Sequence, residues 1–144
     1  MAMFKNKSLD GNYFKTSGFY IFHIPVKVPY KQIYSMADNA GLEQKEAFGP
    51  ILESGRRFGF GWIAIEVEKP KSQANSQSNS QRANVIHIKG DYQMYEHVGP
   101  YKNLGQAYKQ IMKEFPGKKE YLNLYLDDPE KVAPQNLRTQ ILFR

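Results

Sequence analysis

Two short stretches of this chain set aromatic and polar side chains along one face of a strand. Trp62 to Glu68 alternates, with Ile63, Ile65 and Val67 on one face and Trp62, Ala64, Glu66 and Glu68 on the other. Tyr121 to Asp127 does the same, with Leu122, Leu124 and Leu126 set against Tyr121, Asn123, Tyr125 and Asp127. Aromatic rings offer large apolar area with a polar tip and suit flat or cationic ligands. Trp62, Tyr121 and Tyr125, with Tyr95 between them in the chain, are therefore candidates for the stacking walls of a ligand site. Core packing is the competing use, because at 14% aromatic content some of these rings must be filler. Glu66 is the acid on the Trp62 face. Its alternative is a solvated strand residue paired with a lysine, since glutamates are seldom fully buried.

Catalysis and metal binding find less support. The imidazole of His97 could act as a base near neutral pH, but no serine, cysteine or carboxylate is placed by sequence to make a triad with it. Its expected role is to satisfy backbone groups where a strand meets a helix. His23 and His87 are isolated, without metal-ligand spacing. Gly55, Gly59 and Gly61 do not form a phosphate-binding G-x-G-x-x-G turn. No catalytic residue, metal or cofactor is predicted.

These strands need elements to position them. Both run into a proline, Pro70 and Pro129, and setting the two prolines together aligns Ala64 with Asn123 and Glu66 with Tyr125. The same alignment pairs Ile33–Ala37 with Tyr92–Glu96, two short mixed apolar stretches, and brings Gly41 close to Gly99. After Gly99, Pro100 suits a first helical turn, and Tyr101, Leu104, Tyr108, Ile111, Met112 and Phe115 recur at helical spacing until Pro116–Gly117. A first helix is expected over about Leu42 to Arg57, kinked near Phe48 by Gly49–Pro50. Leu137 to Phe143 reads as a closing strand, with Asn84 to Lys89 as its counterpart before a Gly90–Asp91 turn. An extra apolar strand is expected at Phe19 to Val26, and the Ser/Asn/Gln tract from Lys71 to Gln81 as a solvated loop.

The predicted class is α+β, a single domain over residues 1–144 made of strand-helix-strand-strand written twice, about 19–89 and 90–144. The two helices would cover the leucine and isoleucine faces of an antiparallel sheet. That arrangement leaves Trp62, Glu66, Asn123 and Tyr125 together on the other face.

A chain of 144 residues is long enough to bury one core unaided. The absence of cysteine removes disulfides, thiolate metal sites and cysteine nucleophiles. Met1 to Asn12 has no apolar run of signal-peptide length, and no stretch is long enough to cross a bilayer, so a soluble cytoplasmic protein is expected without membrane contact. The net charge of +6 raises the question of nucleic acid, but the basic residues are scattered, with no run longer than Arg56–Arg57 or Lys118–Lys119. A solvated surface is the expectation, with no direct nucleic-acid partner.

Three stretches carry a resemblance. Tyr95-Glu96-His97-Val98-Gly99-Pro100-Tyr101, followed by Leu104 and Ala107-Tyr108, resembles the strand-to-helix segment H-x-G-P-Y of the GyrI-like family. Asn123-Leu124-Tyr125-Leu126-Asp127-Asp128-Pro129 resembles that family's E-x-Y-x-x-D-P strand, and Leu137-Arg138-Thr139-Gln140-Ile141 its terminal L-x-T-x-I strand. About sixty residues, Asn84 to Arg144, are covered in order.

The resemblance implies two halves about a pseudo-twofold axis with an aromatic-lined ligand cleft between them. Relatives serve as effector-binding domains of AraC- and MerR-type regulators, as stand-alone drug binders, as modulators of DNA gyrase, and as hydrolases of reactive cyclopropane compounds. No helix-turn-helix pattern precedes the domain here, so a stand-alone protein that sequesters or senses a flat, partly aromatic compound is expected. Its ligand-binding set would be Trp62, Glu66, Tyr95, Tyr121, Asn123 and Tyr125. Where the family pattern has a glutamate this chain has Asn123, which shifts the expectation towards a neutral or anionic ligand and leaves Glu66 to replace the acid. Hydrolysis, with Glu66 directing water and Tyr125 or Tyr95 protonating the leaving oxygen, is one alternative. Contact with DNA gyrase or a regulator protein is another.

Overall fold

A computed structural model describes residues 4–19, 31–54, 60–68 and 85–144. In chain order the elements are β1 (Phe4–Phe19), α1 (Gln32–Asn39), β2 (Ile51–Ser54), β3 (Phe60–Val67), β4 (Val85–Val98), α2 (Leu104–Glu114), β5 (Tyr121–Tyr125) and β6 (Arg138–Phe143). A single 3-10 turn, Tyr101–Asn103, leads into α2. The six strands form one antiparallel sheet that closes on itself in the order β1-β3-β2-β5-β6-β4.

Closure gives the sheet an inside and an outside, and alternation decides which residue goes where. The inside is a cluster drawn from all six strands and from neither helix: Leu9, Tyr13, Leu52, Ala64, Tyr92, Met94, Leu122, Leu124 and Leu142. Outside, α1 lays Ile33 and Ala37, one turn apart, over Phe14, Ile63, Ile65 and Val67. Helix α2 lays Ala107 and Ile111 over Ile141 and Phe143, with Phe4, Tyr95 and Tyr121 packed around them. Gly41 lets the chain leave α1, adopting φ +76° while its N–H donates to the Asp38 carbonyl at 3.0 Å.

The α+β class, the helix after Gly99 and the closing strand stand as the sequence predicts. The first half differs. Ile33–Ala37 belongs to a helix, and the stretch expected as helix, Leu42 to Arg57, contains strand β2. Pro50 has no N–H to donate and disfavours helix in the residue before it, and Phe48 sits at φ 52°. The turn expected at Gly90–Asp91 does not form, and Asn84, the first residue of the expected strand, lies outside the described residues. Residues 85–98 are one continuous strand, because β1 from Phe4 to Phe14 pairs with Val85 to Tyr95 straight through Gly90–Asp91. The expected Phe19–Val26 strand, beyond Phe19, and the Lys71–Gln81 loop lie outside the described residues.

The expected sharing of faces between β3 and β5 is also corrected. Asn123 pairs with Glu53, and Glu53 pairs with Ile63, so those three form one row on the helix-covered outside. The neighbouring row, Leu124, Leu52 and Ala64, points into the barrel. Aligning Ala64 with Asn123 set β3 against β5, whereas β2 stands between them, and across it Asn123 shares a row with Ile63 while Ala64 falls in the next row, on the opposite face.

Candidate functional site

The row through β2 and β5 brings together side chains distant in sequence. Glu53 is only 5% exposed and Asn123 only 7%. The Asn123 amide donates to Glu53 Oε1 at 3.4 Å and to the Tyr125 hydroxyl oxygen at 3.3 Å. Tyr125 in turn donates its hydroxyl proton to the same Glu53 Oε1. From α2, Tyr108 donates to Asn123 Oδ1, which fixes the amide with its nitrogen towards the acid. Two further rings complete the frame: Tyr101 meets Tyr125 edge-on at 5.2 Å, and Tyr121 lies 5.7 Å from Tyr108. An acid, an amide and four tyrosines therefore meet on the helix-covered side of β2 and β5.

Electrostatics follow from burial. Burial holds the Glu53 carboxyl above the ordinary carboxylate range, opposed in part by the hydrogen bonds from Tyr125 and Asn123, which favour its charged form. The Tyr108 hydroxyl is pushed far up, first by burial and then by the Glu53 charge, so it remains a donor at any physiological pH. At the ends of the same strands Arg138 grips Asp127 with two nitrogens, at 3.0 and 2.8 Å, which holds the Asp127 carboxyl below its usual range. Tyr101 reaches across to the Asp127 carbonyl at 3.5 Å, and Lys31 ahead of α1 pairs with Glu130.

Of the residues singled out by sequence, Asn123, Tyr125 and Tyr121 come together here. Tyr95 packs under α2, 5.2 Å edge-on from Phe4. Trp62 packs against the interior cluster with the Lys15 ammonium 5.8 Å from its ring centre. Glu66 lies opposite Tyr13, its carboxylate close enough to Gly11 that a Cβ there would stand 2.6 Å from Glu66 Oε2. The wall of the sheet separates Trp62 and Glu66 from Asn123. His97 holds its ring nitrogen 3.3 Å from the Pro100 carbonyl, the backbone-satisfying role expected of it.

Sequence reading leaves Glu53 and Tyr101 out of the site and favours packing over the cleft for Tyr108. Glu53 lay hidden in the supposed helix; setting Ile51-Leu52-Glu53, rather than β3, antiparallel to Asn123-Leu124-Tyr125 places the glutamate directly on Asn123. Among the described residues no group of three or more His, Cys, Asp or Glu is placed to hold a metal ion, and no helix is long and apolar enough to cross a membrane.

No family model matches the chain, and no curated protein matches it in sequence. Solved structures do match over nearly all of its length. The C-terminal domain of EcmrR superposes with a TM-score of 0.67 at 17% identity, covering 99% of this chain and 96% of that one. SAV2435, solved bound to tetraphenylphosphonium, superposes at 0.59 with 12% identity over 97% and 92%. A hydrolase from Listeria innocua superposes at 0.51 with 14% identity over 96% and 90%. The chain thus shares an α+β fold with these proteins. More particularly, the chain has the GyrI-like fold that its C-terminal motifs resemble.

Proposed function

We propose that this protein binds flat, partly aromatic organic cations on the helix-covered side of β2 and β5, between the two strand-helix-strand-strand halves. Glu53 supplies the charge, Asn123 and Tyr108 orient it, and Tyr101, Tyr121 and Tyr125 supply the walls. The observation that carries this reading is the Glu53 carboxyl, buried yet held in place by a tyrosine and an amide. A group of this kind is costly to bury as an anion, and a desolvated cation beside it recovers that cost.

The acid thought missing at Asn123 stands on the neighbouring strand, which returns the expectation from neutral or anionic ligands to cations. Tetraphenylphosphonium, found with SAV2435, is the natural first probe. Calorimetric titration is expected to give micromolar-range binding that Glu53→Gln removes. Undiminished binding in that variant would place the ligand elsewhere.

Hydrolysis is the second reading. A carboxyl with raised proton affinity touching a phenol can direct a water and protonate a leaving oxygen. Turnover of an electrophilic cyclopropane, abolished both in Glu53→Gln and in Tyr125→Phe, is the result that would select it. Turnover surviving either change would reject it.

A further inference from the structure

We propose that the Thr139 hydroxyl is a second polar subsite beside Glu53, one that takes the hydrogen-bonding group of an extended organic cation whose charge rests on Glu53. The inference rests on the cation-binding reading above. It starts from an anomaly: Thr139 is 0% exposed, and its Oγ1 has no hydrogen-bond partner among the described residues. Buried hydroxyls are almost always satisfied, because leaving one without a partner costs its full desolvation. Valine would fill nearly the same volume without that cost.

Register places this hydroxyl in the site. Thr139 on β6 stands directly opposite Tyr125 on β5, so both side chains leave the sheet on the same face. Two residues along, Ile141 stands opposite Asn123 and belongs to the cluster under α2. On its other side Thr139 faces His97, whose ring is turned to the Pro100 carbonyl. Tyr101 lies edge-on to Tyr125 and reaches the Asp127 carbonyl, bounding the same region. Glu53 sits one strand beyond Tyr125, in the row of Asn123. With strands about 4.8 Å apart and a two-residue offset of about 6.8 Å along them, the backbones of Glu53 and Thr139 are roughly 12 Å apart.

Tyr125 lies between the two polar points, its hydroxyl on Glu53 and its backbone beside Thr139. A ligand lying along this line would meet charge at one end, aromatic wall in the middle and a hydroxyl at the other end. Threonine both donates and accepts, so an alcohol, ether or amide on the ligand would satisfy it. Tetraphenylphosphonium has the charge and the rings but no such group.

Titration of the full chain with hexyltriphenylphosphonium and its ω-hydroxy analogue tests this as a double-mutant cycle. The affinity ratio of the hydroxy analogue to the plain one is expected to be about tenfold higher in the wild type than in Thr139→Val. Thr139→Ser should keep the wild-type ratio and Thr139→Ala should lose it. Thr139→Val should also melt no lower than the wild type, since it removes an unsatisfied group. Equal ratios in wild type and Thr139→Val overturn the subsite, and so does a lower melting temperature, which would mean that the hydroxyl already has a partner. If the subsite fails while Glu53→Gln still abolishes binding of both probes, the cation site stands without it. If the wild type binds neither probe, or Glu53→Gln binds both, the cation site fails and the subsite with it.

Discussion

Glu53 holds opposing demands in one side chain. Its carboxyl is buried, and burial favours the protonated form, so the folded protein holds this proton more tightly than the unfolded chain does. Between the unfolded pKa and the raised folded value the native state therefore binds more protons, and stability falls as pH rises through that window. Glu53→Gln cannot ionise and escapes the fall. Thermal melts should find this variant about 1 kcal/mol more stable than wild type at neutral pH, with the difference shrinking in acid. A Glu53→Gln protein less stable at neutral pH would mean that the charge is compensated within the fold.

Ligand binding has the opposite sign. A cation needs the ionised carboxylate, so affinity should drop as pH is lowered through the raised Glu53 value, by up to about tenfold per pH unit below it. Tyr125 tunes the position of that drop, because its hydroxyl donates to the charged form. Tyr125→Phe should raise the Glu53 pKa further and move the binding midpoint to higher pH. A midpoint left in place would show that the acidity of the site is set without Tyr125, by burial and the remaining contacts of Glu53.

At the level of elements, α2 is the part that fixes Tyr108 above Asn123. Ile111, one turn beyond Ala107, is fully buried against Ile141 and Phe143. Ile111→Ala should cost about 2–5 kcal/mol in urea unfolding. It should also weaken cation binding by loosening Tyr108, whereas Lys109→Ala on the exposed side should do neither. Equal effects from the two would deny α2 its positioning role.

The same helix marks how far sequence reading reaches. Tyr101, Leu104, Tyr108 and Ile111 announce α2 because its apolar spacing is regular and Pro116–Gly117 stops it. Strand β2 is four residues long and follows Gly49–Pro50, too short to show a period of two and close enough to Leu42 to be absorbed into a helical pattern. Glu53 was lost with it. Strand β1 hid for another reason: between Phe4 and Phe14 its outward residues, Asn6, Ser8, Asp10 and Asn12, are polar, and Leu9 and Tyr13 alone mark its buried side. The alignment of β3 with β5 put Ala64 on the face of Asn123, because a closed sheet with helices outside buries both faces, and apolar content cannot then say which face is which.

For the whole molecule, the closed sheet carries two quite different outer surfaces. Over β2 and β5 the acid is buried; over β1 and β4 the acids are exposed, with Asp10 2.8 Å from His87 and Asp91 2.5 Å from Ser8. Either could attract a cation, and salt separates them. An exposed ion pair is screened within a Debye length of about 8–10 Å at physiological ionic strength, whereas a desolvated contact is screened little. The chain as a whole carries a net charge of +6, which repels a cation at long range, and salt weakens that repulsion. Binding at Glu53 should therefore hold or tighten slightly, by less than about threefold, between low and physiological salt. A steep loss of affinity over that range would move the site to the Asp10–Asp91 surface. Double-stranded DNA gives the contrasting control, since any non-specific binding through scattered lysines must fall steeply over the same range as counterions compete for phosphate.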